Sequence, residues 1–440
     1  MRGIRKKFIA ACMILITIGT LASCKSTERF QPVIIDKTNK SSPKVKLRFI
    51  SSWGGEDPKA ATLQELLDKF SNLNSGIEIT NESMSGEDFL QKLKVDFASG
   101  YNQDVFGLWP GLEIRELVKA GKVADLTDVL ESDREWKESF DNDGWSYTTY
   151  GGRVYGLPLE KIYECLFINK DLFEKYKVKV PEDFDEFKTA VKIFRQNKIV
   201  PVAYNSSPEG SYIYQNIVER LGGKYGVENP YTKDGVNSCY IEAMKYMKEL
   251  FQMQAFPENY YEINNRERNN LFKSKSAAMI VQGSWFMGDL ERIYSAVEMI
   301  PFPYIKGGKS DRNSLIYGFG CGTFYMSTSA WNDPDKREAS IKLLKYLTSK
   351  DSATSLVQRT AMLSNVYTGN AENYNGYLKR SENYILENAG ELVGPPDSFV
   401  DRGTWERLTD SYFPRFLEGK ITAEKAWNDA AAPEKRGQLQ

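Results

Sequence analysis

Apolar and polar residues alternate from Val45 to Phe49, with Val45, Leu47 and Phe49 on one side of an extended segment. That is the period of a half-buried strand. It ends at Ser51-Ser52-Trp53-Gly54-Gly55, a run made for a turn. Asp57 then offers an N-cap with Pro58 at the first helical position, and Leu63, Leu66, Leu67 and Phe70 follow at helical spacing until Gly76. A strand is predicted at Ile77 to Thr80, and next a helix with Leu90, Leu93 and Phe97 on one face, stopping at Gly100. Asp104 to Leu108 reads as a short buried strand that delivers Trp109 and Pro110 into a loop, with Asp104 fixing the turn before it. A short helix from Leu112 to Ala120 ends at Gly121. Strand and helix alternate without an internal repeat, which predicts α/β lobes.

The first residues follow another pattern. Arg2, Arg5, Lys6 and Lys7 precede an apolar run from Phe8 to Thr20. That run is shorter than the roughly 20 apolar residues a membrane span needs, so residues 1–23 read as a signal peptide. Leu21-Ala22-Ser23-Cys24 looks like a lipobox, in which the Cys24 thiol takes the lipid; the alternative is an ordinary secretory signal with a chance cysteine. Residues 24–43 are rich in Lys, Ser, Thr and Asn and read as a tether, with a coil-like reach of about 25 Å. The expectation is a lipid-anchored protein on the outer face of a bacterial cytoplasmic membrane.

Composition narrows the chemistry. The 440 residues contain no histidine, which excludes Ser-His-Asp and Cys-His catalysis and every His-ligated zinc site. Without the four basic residues of the signal, 54 basic side chains face 59 acidic ones, and no basic stripe suggests nucleic acid. Cys165, Cys239 and Cys321 are widely spaced and read as small buried apolar residues. No GxxxxGK[ST] or GxGxxG marks a nucleotide site, and no cofactor or metal is expected.

Several short segments, in order, carry a resemblance: Leu67-Asp68-Lys69-Phe70, Asp88-Phe89-Leu90-Gln91-Lys92-Leu93, Asp104-Val105-Phe106, Gly151-Gly152-Arg153-Val154-Tyr155-Gly156-Leu157-Pro158 and Phe167-Ile168-Asn169-Lys170-Asp171-Leu172-Phe173. They continue through Lys275-Ser276-Ala277-Ala278-Met279-Ile280-Val281-Gln282-Gly283-Ser284-Trp285, Ile300-Pro301-Phe302-Pro303 and Leu343-Leu344-Lys345-Tyr346-Leu347-Thr348-Ser349. Together they resemble the family 1 extracellular solute-binding proteins of ABC importers, the group that includes the maltose-binding protein. The match weakens beyond about Ser355. The resemblance implies a two-lobed α/β fold of the periplasmic-binding-protein type, with a ligand cleft and a hinge between lobes. By the family's order, one lobe would comprise 44–158 plus 302–350 and the other 163–301 plus 351–440. It further implies a monomer that hands its ligand to permease subunits served by a separate ATPase.

A sugar presents flat C–H faces and a rim of hydroxyls, which call for aromatic platforms and for carboxylates, amides or arginine. Trp53, Trp109 and Trp285 stand where strands end in turns, and Trp405 lies in the late segment Asp401-Arg402-Gly403-Thr404-Trp405. The family motif favours ligand contact for Trp109 and Trp285, with Gly283 and Ser284 beside the latter. Core packing and ligand contact both stand for Trp53 and Trp405. The resemblance also suggests Tyr212, ten residues before Gly222-Gly223, and Tyr163 in the lobe crossover. Glu160 could accept two sugar hydroxyl hydrogen bonds or form a hinge salt bridge. Glu56 could do the same or favour a helix N-terminus. Arg402 could complement it from the opposite lobe. An oligosaccharide is the expected ligand. Two rivals are a surface enzyme on polysaccharide, which would need two carboxylates about 5 to 10 Å apart across one bond, and a binding lipoprotein that serves a membrane sensor.

Overall fold

The computed structural model describes residues 44–290, 293–369 and 385–432, except the side chains of Glu87 and Tyr294. The expected signal peptide and tether, with Cys24, lie outside the described residues. The described residues form one compact unit that contains two principal sheets.

The first sheet has the order Ile77–Asn81, Val45–Ile50, Val105–Gly107, Thr323–Met326, Gly156–Pro158. Its first three strands are parallel, and Thr323–Met326 runs antiparallel to both of its neighbours. Leu47 and Phe49 meet Leu63, Leu67 and Phe70 of helix Ala60–Leu73 and Leu343, Leu344 and Leu347 of helix Pro334–Leu347 in one core. The expected N-cap is displaced: Asp57 accepts the Lys59 N–H within a preceding turn, and the helix starts at Ala60. Lys59 is held there because its ammonium turns inward to two carboxylates. Gly100 ends helix Glu87–Ser99 at φ 77°, a left-handed conformation that glycine adopts without a Cβ clash. Asp104 has a structural role: it accepts the Arg48 backbone N–H at 2.8 Å and pairs with Lys336 at 2.9 Å.

The second sheet is built on the ten-residue strand Glu160–Asn169, all of which is buried except Lys161. Leu315–Phe319 and Ala277–Gly283 flank it, Leu392–Val393 and Val200–Val202 lie outside these, and Val297–Ile300 and Leu363–Ser364 also pair with it. A strand enclosed in this way must lose its polar alternation, and Leu166, Phe167 and Ile168 are fully buried in succession. Helices Phe184–Gln196, Tyr212–Glu228 and Ser238–Gln252 complete the larger core with Phe187, Tyr214 and Met244.

Strand pairing departs from the expected lobe division at two segments. Leu315–Phe319 bonds to Glu160–Asn169 and therefore sits in the second sheet, although 302–350 was expected in the first lobe. Helix Lys350–Thr360 packs on helix Ala60–Leu73, with Ala353 and Leu356 in the first core, although 351 onward was expected in the second lobe. Among the described residues the chain passes between the sheets at 158–160, at 319–323 and after Thr360.

Trp405 belongs to the larger core. Its ring is fully buried beside Tyr214 and Trp427, and its indole N–H donates to Ser211 Oγ at 3.1 Å. Trp405→Ala should therefore destabilise the protein by about 3–5 kcal/mol, read from urea unfolding. Ligand affinity, measured under conditions where the variant is folded, should stay within a few-fold of the parent.

Candidate functional site

A cavity of about 1680 Å³ lies between the two sheets and takes its lining from both. On the first-sheet side Trp53 lies edge-on to Phe324, with ring centroids 5.5 Å apart, and contributes to the wall from an otherwise buried position. Beneath it the Lys59 ammonium stands 3.4 Å from Asp57 and 3.4 Å from Glu160. Burial opposes the charge of Lys59, but the two carboxylates outweigh it and push the pKa up to about 12. Glu160 also accepts the Gly322 N–H at 3.0 Å. The turn Gly320-Cys321-Gly322 can reach this point only because its two flanking residues lack side chains: a Cβ on Gly320 would lie 2.4 Å from Glu160 Oε2, and one on Gly322 2.4 Å from the Trp53 ring.

On the opposite side Trp285 lies edge-on to Tyr212, with ring centroids 5.4 Å apart. Helix Asn265–Lys273, held by a capping box between Asn264 and Glu267, carries Arg266 into the lining. Contacts between the two sides occur at separate places. Arg266 pairs with Glu56 at 2.8 Å. The Arg402 guanidinium stands 5.5 Å from the Trp109 ring, and the Arg402 backbone N–H donates to Glu113 at 3.1 Å. Arg402 also pairs with Asp397 and Glu406.

Of the residues singled out from sequence, Trp53, Glu56, Trp109, Glu160, Tyr212, Trp285 and Arg402 line the cavity. Tyr163, Gly283, Ser284 and Trp405 do not. Side chains alternate along a strand, and Glu160, Ile162 and Glu164 take the cavity face. Tyr163 is thereby turned into the core beside Phe167 and Met299. Ser284 is buried, and its hydroxyl accepts the Tyr163 N–H at 3.3 Å. Gly283 makes room for Trp285, whose ring would lie 2.0 Å from a Cβ there. Trp405 is a core residue, as described above.

The structure also brings in residues that sequence inspection did not select for binding. Tyr147, Tyr150 and Tyr155 join the wall from around the turn Gly151-Gly152, and Phe319 and Phe399 join from two further segments. The density of tyrosines beside that glycine pair was the available signal. Lys59, Glu164, Arg266 and Asp397 carried none, because their significance lies in partners from distant segments.

With this geometry in place, comparison with known proteins assigns the class. A profile of the bacterial extracellular solute-binding proteins matches residues 53–354, and the chain belongs to that family. The multiple sugar-binding protein of Streptococcus mutans is 23% identical over 303 residues, spanning 66% of this chain and 68% of that one. A structure from work on xylan utilization by Caldanaerobius polysaccharolyticus superimposes with a TM-score of 0.78 at 24% identity, covering 88% of this chain and 99% of the other. A chitin oligosaccharide binding protein superimposes with a TM-score of 0.78 at 19% identity, covering 89% and 98%. Such superpositions establish the two-lobed fold.

Removal of the Lys59 charge would leave the buried Glu160 and the partly buried Asp57 without their shared counter-charge. Lys59→Met should cost about 3–5 kcal/mol of stability, and adding Glu160→Gln should restore a large part of it. Urea unfolding of both variants checks this.

Proposed function

We propose that this protein captures an oligosaccharide by closure of its two lobes and delivers it to the permease of an ABC importer, held at the membrane by a lipid on Cys24. The observation that carries this reading is the cavity itself. Its volume of about 1680 Å³ exceeds the roughly 300–1,000 Å³ of common small-ligand pockets, which suits several linked sugar rings. Aromatic faces and hydrogen-bonding side chains alternate around it. A ligand that touches both sides favours the arrangement in which Glu56 meets Arg266 and Trp109 meets Arg402. The exposed Glu56–Arg266 pair contributes little by itself, and the ligand supplies most of the energy of closure. The neighbours' association with sugars supports the same ligand class. ATP hydrolysis belongs to a partner subunit, and the receptor acts as a monomer.

Enzymatic cleavage fits the geometry less well. Glu160 and Glu164 share a strand face four residues apart, a spacing of roughly 13 Å along an extended chain. Paired carboxyls in glycoside hydrolysis stand about 5–9.5 Å apart.

Thermal unfolding of the protein truncated after Cys24, scanned against an oligosaccharide panel, tests the proposal. A cognate glycan at 100 times its Kd should stabilise the fold by about 2.7 kcal/mol with no product formed. Trp285→Ala should weaken binding by about tenfold or more, about 1.4 kcal/mol. Conversion of the glycan to fragments would transfer the assignment to an enzyme, and stabilisation only by solutes other than sugars would remove the carbohydrate from it.

A further inference from the structure

Glu164 stands on the cavity face of the strand Glu160–Asn169 with 1% of its surface exposed. Its carboxyl accepts one hydrogen bond among the described residues, from Asn216 Nδ2 at 2.7 Å. Among the described residues no cation pairs with it. Helix Tyr212–Glu228 presents Tyr212, Asn216, Glu219 and Arg220. Arg220 is engaged by Glu219 and by the carbonyls of Phe302 and Ser314. Segment Pro396–Phe399 presents Asp397, whose partner is Arg402. Strand Ala277–Gly283 contributes only uncharged residues, with Gly283 opposite Glu164 and Gln282 opposite Cys165 in the register. Glu160, on the same strand face, has Lys59 as its partner, whereas among the described residues the partner of Glu164 is the uncharged Asn216 amide.

Burial first, then the charges of Asp397 and Glu219, hold the Glu164 carboxyl well above the usual carboxylate range, against the opposing hydrogen bond from Asn216. A protonated carboxyl has a carbonyl oxygen and a hydroxyl. With the Asn216 amide donating to the carbonyl oxygen, the hydroxyl is left as a donor at the cavity.

We propose that Glu164 recognises the captured solute from the depth of the cavity by donating a hydrogen bond to a ligand oxygen, so that capture weakens as pH rises. The proposal rests on the carbohydrate reading above and refines it. A donor at this position suits a hydroxyl, ring or amide oxygen of a neutral sugar, or the carboxylate of an acidic one. A basic amino sugar would instead favour the ionised form of Glu164, and its binding would strengthen with pH.

The test is calorimetric titration of the purified protein and of Glu164→Gln with maltotriose, xylotriose and N-acetylated chitotriose, from about pH 5 to pH 9. For whichever sugar binds, the wild-type Kd should rise with pH, approaching about tenfold per unit where Glu164 ionises in the free protein. Glu164→Gln keeps an amide donor, so it should match the wild type at low pH and show a flat profile. Parallel profiles in the two proteins, or tighter wild-type binding at higher pH, would overturn the proposal while leaving the sugar receptor intact. Failure of all three sugars at every pH would count against the carbohydrate reading and the proposal together.

A measurement without ligand stands beside it. The native state keeps a proton that the unfolded chain has lost, so wild-type stability should fall relative to Glu164→Gln as pH rises above the ordinary carboxylate range. Infrared spectra of the wild type should also show a protonated-acid carbonyl band at neutral pH. Equal stability profiles together with absence of that band would overturn the proposal whatever the ligand.

Discussion

The strand Glu160–Asn169 is the constraint on which the rest of the molecule depends. Among the described residues four strands pair directly with it, and only Leu159 separates its first residue from the last strand of the other sheet. Its register determines which side chains meet the cavity and which the core. A shift of one residue would exchange Glu160, Ile162 and Glu164 for Lys161, Tyr163 and Cys165. Such a shift would turn both carboxyls into the core and put a lysine in their place at the site. The extensive apolar packing around Leu166, Phe167 and Ile168 therefore also sets the position of the polar groups at the other end of the strand.

Those polar groups have opposite electrostatic circumstances on one strand face. Glu160 is held by Lys59 and by a backbone N–H from the glycine turn. Glu164 lies among other acids, with an amide as its partner. Both glutamates are buried, so the difference between them lies in the counter-charge that each meets. Aromatic rings fill the area between them: Trp285 and Tyr212 on one side, Trp53 and the tyrosines near Gly151 on the other. The lobes meet through pairs such as Glu56 with Arg266 that remain accessible to water, which keeps opening inexpensive in free energy.

Sequence alone was sufficient for the α/β alternation, the early strand and helix order, the structural role of Asp104 and the class of protein, because each rests on local periodicity, capping residues or short ordered motifs. It also pointed to the aromatic turns at Trp53, Trp109 and Trp285, since a bulky ring at the end of a strand is a local feature. Tertiary structure decided the rest. Tyr163 and Trp405 are core residues because strand register and helix packing turn them inward, and no spacing in the chain reveals which face will be covered. Leu315–Phe319 joined the second sheet through pairing with a strand some 150 positions earlier in the sequence. The contrasting surroundings of Glu160 and Glu164 depend on Lys59, Asp397 and Glu219, which come from three separate segments. Burial and counter-charge are properties of assembled neighbours, and for that reason only the folded chain could assign them.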